Sequence, residues 1–161
     1  MVRIEVVDTN VWASVDKIPP KDQIEADCIK ACIEWFQAFR QGEDEYKIAV
    51  DMAFKILTEY HGQIKKGGLA ERYLNDILSQ PMTRIVFTEV EYDENGHAIL
   101  LDNIMDDPSD RKFIAVALHF EPPALIINAT DTDWEKSRDK LEDANITIQE
   151  LCPDYIAAKI K

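Results

Sequence analysis

The chain predicts an α/β domain, a three-layer α/β/α sandwich around a mainly parallel sheet of about five strands. Three observations predict it. Short apolar or β-branched runs alternate with amphipathic stretches of helical period. Several of those runs are apolar without interruption, as strands covered on both faces are. A length of 161 residues with a hydrophobic share of 46% suffices for one core, so 1–161 reads as a single domain. The charged share of 30% and the lack of low-complexity tracts argue against disorder.

Taken in order, Val2-Arg3-Ile4-Glu5-Val6-Val7 alternates and then turns fully apolar before Asp8-Thr9-Asn10, a buried strand closing on a polar loop. After Pro19-Pro20, the residues Ile24, Cys28, Ile29, Cys32, Ile33, Phe36 and Phe39 recur at helical spacing until Gly42. Residues 46–50 form a short β-rich run. Asp51 is placed to cap a helix whose apolar side carries Met52, Ala53, Ile56, Leu57 and Tyr60 and which stops at Gly62. A helix over 69–78 turns Leu69, Tyr73, Leu74, Ile77 and Leu78 inward before Pro81 interrupts. Residues 85–92 and 97–101 read as strand on either side of Asp93-Glu94-Asn95-Gly96, where Asn-Gly signals a tight turn and suggests a hairpin insertion near 85–101.

Asp106-Asp107-Pro108-Ser109-Asp110 reads as a loop and N-cap leading into a helix with Ile114, Ala117 and Leu118 inward, ended by Pro122-Pro123. A continuous apolar strand over 125–129 stops at Thr130-Asp131-Thr132-Asp133-Trp134. A last helix covers 134–143, with Thr132 and Glu135 at capping-box spacing, and Ile146-Thr147-Ile148 is a final strand.

With 31 acidic against 18 basic residues the formal charge is −13, which repels polyanions at long range and argues against a simple electrostatic nucleic-acid binder. Of the three cysteines, Cys28 and Cys32 are four apart on one helical face, and all three read as reduced core residues. Glu5 and Asp8 interrupt the first apolar run, and no stretch has the apolar length of a membrane span. A cytoplasmic setting without membrane contact is therefore expected. No glycine-rich nucleotide loop, nucleophile elbow or Cys-x-x-Cys pair occurs.

In open parallel sheets, ligands collect beyond the carboxyl ends of the strands. The residues expected there are acidic. Asp8 follows the first strand, Asp131 and Asp133 follow the strand at 125–129, Asp110 heads a helix and Glu59 projects from another. Such a cluster cannot stay ionised unaided, because like charges raise each other's pKa unless a cation offsets them. Mg²⁺ or Mn²⁺ suits hard oxygen donors, whereas His61, His97 and His119 share no spacing suited to zinc.

Asp8-Thr9-Asn10-Val11, Glu59 within Leu57-Thr58-Glu59, Asp107-Pro108-Ser109-Asp110-Arg111-Lys112-Phe113 and Asn128-Ala129-Thr130-Asp131-Thr132-Asp133-Trp134 resemble, in that order, the four acidic motifs of PIN-domain nucleases. The resemblance covers nearly the whole chain. It implies a five-stranded parallel sheet, Mg²⁺ or Mn²⁺, and ribonuclease activity on single-stranded RNA, often as the toxin of a toxin–antitoxin pair. An antitoxin protein and a homodimer are the partners it implies.

Residue by residue, it implies catalytic metal ligands at Asp8, Glu59, Asp110 and Asp131, with Asp133 as a second carboxylate and Thr130 orienting it. Asn10 would hold Asp8 or a coordinated water, and Asp107 is a rival to Asp110. Lys65, Lys66, Arg72, Arg111 and Lys112 are candidates for gripping phosphates, although short basic pairs commonly form solvated faces. Trp12, Trp35 and Trp134 read as packing residues rather than base-stacking platforms. The competing function is a catalytically silent PIN-like binding module acting through a partner. Haloacid-dehalogenase phosphatases need a second aspartate two residues after the first, where Asn10 stands.

Overall fold

The structure, a computed structural model, describes residues 2–42, 45–101 and 103–160. Five parallel strands form one sheet: β1 Arg3–Val7, β2 Tyr46–Asp51, β3 Ile85–Thr88, β4 Leu125–Asn128 and β5 Ile148–Glu150. Their spatial order is β3-β2-β1-β4-β5. Nine helices accompany them among the described residues: α1 Thr9–Ser14, α2 Gln23–Gln41, α3 Lys55–Gln63, α4 Leu69–Leu78, α5 Pro81–Arg84, α6 Arg111–Ala117, α7 Asp133–Lys136, α8 Arg138–Asp143 and α9 Pro153–Lys159.

The strand order dictates the layers. Right-handed crossovers from β1 to β2 and from β2 to β3 run toward one edge, so their helices share a face, while those to β4 and β5 run the other way and use the opposite face. In keeping with this, α1 packs on α2 and α3, whereas α6 packs against β1, β2 and β4. The result is the α/β/α sandwich expected from the sequence. β1 lies at the point where the direction reverses, pairing with β2 at Glu5↔Ile48 and with β4 at Val7↔Ile127. The crevice beyond the carboxyl ends of β1 and β4 is the ligand-binding position of an open parallel sheet.

Hydrophobic burial supplies the cohesion. Val6, Val7, Ile48, Ala49, Val50, Ile126 and Ile127 are fully buried strand residues, which explains why these runs lack polar alternation. Trp12, carried by the unforeseen helix α1, lies 4.4 Å from the ring of Phe36 and 4.9 Å from that of Tyr60.

Several expected boundaries move for identifiable reasons. Of the hairpin expected near 85–101, only a minimal one forms, about the 93–96 turn, with an antiparallel bridge between Tyr92 and Ala98 flanked by the Asp93–His97 and Ile99–Glu91 backbone hydrogen bonds; β3 ends at Thr88 and pairs parallel with β2. Parallel pairing with β2 buries the apolar run at its start and takes it out of competition for a hairpin. The helix expected from Asp51 begins at Lys55 instead, because Phe54 adopts φ 61° and turns the chain, leaving Met52 exposed. The last long helix is divided at Ser137, and β5 falls at Ile148–Glu150.

Cys28 and Cys152 form a disulfide, which corrects the reading of three reduced thiols; Cys32 remains a free, buried cysteine. Helix α9 packs on α2 and brings the two Cα atoms to 5.1 Å, within bridging distance. A separation of 124 residues hid that proximity.

Asp51 ties the turn after β2 to the fold. Fully buried, it accepts hydrogen bonds from the backbone amides of Lys55 and Ile56 at 3.0 and 2.9 Å and from the Tyr92 hydroxyl at 2.8 Å. Asp51→Ala would strand these donors, so it is expected to cost on the order of 2–4 kcal/mol of unfolding free energy. Urea denaturation measures this, and a loss below about 0.5 kcal/mol would mean that water replaces the carboxylate without cost.

Candidate metal centre

The acidic residues converge where the sheet reverses. Asp8 leaves the carboxyl end of β1, Asp131 follows β4, and Asp110 ends a single 3-10 turn, Pro108–Asp110, that leads into α6. One carboxylate oxygen from each of Asp8, Asp110 and Asp131 lies within 4.8 Å of the others. Asp107, Asp110 and Asp133 form a second such set, so Asp110 belongs to both. Local turn chemistry explains the delivery of Asp110: the Asp107 carboxylate accepts from the Ser109 amide at 2.9 Å and its hydroxyl at 2.8 Å, tightening the turn.

Each carboxylate is held differently. Asp8, 4% exposed, accepts a hydrogen bond from Trp134 Nε1 at 2.5 Å. Asp131 Oδ1 accepts from the Asp133 amide at 2.9 Å, so Asp131 rather than the expected Thr132 caps the start of α7. Asp110 Oδ2 is buried and has no hydrogen-bond partner among the described residues.

The loop carrying Asp131 is fixed by amides. Asn10 Oδ1 accepts from the backbone amides of Ala129 and Thr130 at 2.9 and 3.0 Å, and its Nδ2 donates to Asn128 Oδ1 at 2.8 Å. Asn128 Nδ2 in turn donates to the Asp131 carbonyl at 2.8 Å and to Glu150 Oε2 at 2.7 Å. The Asn10 side chain thus joins the ends of β1 and β4. Thr130 enters the same network through its backbone.

The remaining candidates lie apart. Glu59 joins neither carboxylate set; its Oε2 is 2.5 Å from Lys112 Nζ, which also donates to the Ser109 carbonyl. Lys112 is therefore committed to the protein itself. Arg111 donates to the Met105 carbonyl at 3.4 Å. Lys65, Lys66 and Arg72 are exposed on the α3–α4 connection and α4. Of the residues not assigned a site role from sequence, Trp134, Asn128 and Glu150 matter most here. Asn128 had a visible signal, a polar amide ending an apolar strand, whereas Glu150 had none.

Electrostatics follow from burial and crowding. Burial raises the Asp8 carboxyl to about 7 against the opposing Trp134 hydrogen bond, with Asp131 adding to the rise. Burial likewise pushes Asp110 up to about 8, helped by the charges of Asp8 and Asp131. Asp131 is raised mainly by burial. Three clustered carboxylates that resist ionisation together could hold a hard divalent cation, and Asp110 Oδ2 has no hydrogen-bond partner among the described residues.

Comparison with protein-family models and with curated proteins gives no match. A cavity of about 400 Å³ lined by Phe39, Tyr73, Asp76 and Arg84 includes none of Asp8, Asp110 and Asp131.

The raised carboxyls make a signed prediction. Between the unfolded value near 4 and the folded values, the folded chain binds more protons than the unfolded one, so metal-free stability falls as pH rises through this window. The slope is up to about 1.4 kcal/mol per pH unit for each carboxyl involved. In chelator, the melting temperature is expected to be lower at about pH 8 than at about pH 6, and Mn²⁺ should raise it more at the higher pH. Equal Mn²⁺ shifts at both pH values would mean that the cation does not replace protons on these groups.

Proposed function

We propose that the chain is a PIN-like, divalent-metal-dependent ribonuclease that hydrolyses phosphodiester bonds of single-stranded RNA. One observation carries this reading: Asp8, Asp110 and Asp131 bring carboxylate oxygens within 4.8 Å of one another at the reversal point of a parallel sheet, with one Asp110 oxygen buried and unpartnered. Mg²⁺ or Mn²⁺ held by these residues would supply the acidity that makes water a nucleophile and would neutralise charge on the phosphate.

The chain's own groups divide the remaining work. Hydrogen bonding from Trp134 favours the ionised form of Asp8, which suits it to a constant ligand role. Asp110, whose Oδ2 lacks a donor, is suited to exchange protons as its surroundings change. The Asn10–Asn128–Glu150 network keeps the Asp131 loop in place. Water adds to phosphorus, the phosphorus–oxygen bond to the leaving nucleotide breaks, and the proton released by water is returned to the leaving oxygen. No protein nucleophile is needed.

The test is cleavage of single-stranded RNA by purified protein with Mn²⁺, with and without chelator, beside an Asp8→Asn variant. Chelator-sensitive cleavage by the wild type alone supports the reading. Equal cleavage by both chains would reveal contamination, and none by either across several substrates and ions would favour the silent binding module. That alternative has one observation in its favour: Glu59 is engaged by Lys112 instead of joining the aspartates. An antitoxin protein and a homodimer belong to the same proposal, and light scattering of the pure chain tests the dimer. So does a cytoplasmic setting; no helix among the described residues is long and apolar enough to cross a membrane.

A further inference from the structure

A cleft of about 540 Å³ opens beside the carboxylates, bordered by Lys55, Thr58, Glu59, His97, Ser109 and Lys112. Ser109, which lines the cleft, immediately precedes Asp110 in the chain, and Glu59 and Lys112 of the lining are joined by an ion pair. The opposite wall is the 93–98 turn, part of the segment near 85–101 expected as an insertion. That wall is built, not loose. The Tyr92 hydroxyl is anchored on Asp51, the Asp93 carboxylate accepts from the Asn95 and His97 amides at 2.9 and 3.0 Å, and Gly96 takes φ 79° to close the turn.

Three basic side chains line this space, Lys55, His97 and Lys112. Lys112 is bound to Glu59, but Lys55 is exposed and has no ion pair among the described residues. Its Nζ sits 4.9 Å from the Tyr92 ring centroid and close over Gly96, where an added Cβ would come within 3.4 Å of it. Phe54, between the lining residues Ala53 and Lys55 in the chain but outside the lining itself, is 54% exposed despite its left-handed backbone, with its ring edge-on to Phe87 at 5.8 Å. An exposed aromatic in a conformation that disfavours side chains is not explained by core packing. In a chain of charge −13, a local cation beside an exposed ring is the combination that attracts and stacks a single nucleic-acid strand.

We propose that this cleft seats the nucleotides flanking the hydrolysed bond, with Lys55 and His97 meeting backbone phosphates and Phe54 offering a stacking surface to a base. The assignment rests on the ribonuclease reading and gives it a substrate path. The 93–98 turn is then a strand-binding wall, and the preference for single strands follows from the need for an unpaired base at Phe54.

Fluorescence anisotropy of a labelled single-stranded oligoribonucleotide in Ca²⁺ tests it, with hydrolysis of bis(para-nitrophenyl) phosphate in Mn²⁺ as a companion that needs no strand. Lys55→Glu is expected to weaken oligonucleotide binding by about fivefold to tenfold and to flatten its salt dependence by about 0.7 in log–log slope. Phe54→Gly should weaken binding comparably while keeping or raising thermal stability, since glycine accepts the backbone conformation. Lys30→Ala, on the exposed face of α2, should change neither oligonucleotide binding nor hydrolysis of the small diester. Unchanged oligonucleotide affinity in both Lys55→Glu and Phe54→Gly overturns the cleft assignment and leaves the ribonuclease reading intact. A wild-type chain that binds no single-stranded RNA overturns the cleft assignment and counts against the ribonuclease reading as well. Lys55-dependent binding with no hydrolysis of either substrate supports the cleft and overturns the ribonuclease reading.

Discussion

Replacing Asp110 with Asn is expected to remove Mn²⁺-dependent RNA cleavage while making the metal-free protein more stable at about pH 8. The two effects share one cause. Asp110 is 7% exposed, stands in both carboxylate sets, and keeps Oδ2 without a hydrogen-bond partner among the described residues. Ionising it beside Asp8 and Asp131 is costly without a cation, which is why its carboxyl is pushed up to about 8. An amide of the same shape carries no charge, so the repulsion vanishes along with the anionic ligand. Loss of a ligand contribution of several kcal/mol corresponds to a fall in rate of roughly a hundredfold to a thousandfold. Thermal melts in chelator and cleavage assays in Mn²⁺, run on the same preparation, check both halves. A variant that loses cleavage and also melts earlier in chelator would show that Asp110 is a structural residue.

Breaking the Cys28–Cys152 link is expected to lower stability by about 4–5 kcal/mol, because it closes a loop across 124 residues of sequence. For a chain of this size that is a drop in melting temperature of roughly 10–20 °C. Cys28→Ser and treatment with reductant should give the same loss, and reductant should then have no further effect on the variant. The remaining thiol does not complicate the comparison: burial pushes Cys32 up to about 12, which leaves it a poor attacking group. Thiol titration of protein from a lysate prepared without reductant bears on the compartment as well. One titratable thiol per denatured chain places the protein where disulfides persist and counts against the cytoplasmic setting, whereas three support a reducing compartment. A Cys28→Ser variant as stable as the wild type would mean that packing of α9 on α2 suffices without the bond.

The site was partly legible because its clustered aspartates sit at the ends of strands and the starts of helices. Asp8 ends an uninterrupted apolar run, Asp131 ends another, and Asp110 follows a Pro-Ser pair that breaks the chain before a helix. Each is a place where a strand or helix begins or stops, and parallel sheets gather such places at one end. Glu59 had only helical phase to recommend it, and phase does not say which neighbour a long side chain will find; it found Lys112. Trp134 was read as packing and does pack, being 1% exposed, but its indole nitrogen also reaches Asp8 from 126 residues away in sequence. Asn10, expected to hold Asp8 or a water, does reach the Asp8 carboxyl through its backbone amide, while its side chain fastens the β4 loop through Ala129 and Thr130.

By itself, the sequence determined the α/β class, the parallel sheet, most strand positions and the three aspartates that meet, because hydrophobic periodicity and helix or strand termini are local properties of the chain. Tertiary structure alone decided the strand order β3-β2-β1-β4-β5, the Cys28–Cys152 bond, the engagement of Glu59 by Lys112 and the cleft under the 93–98 turn. These depend on which distant segments share a face or an edge. Such pairings are set by the packing of the whole chain, and no short stretch of residues encodes them.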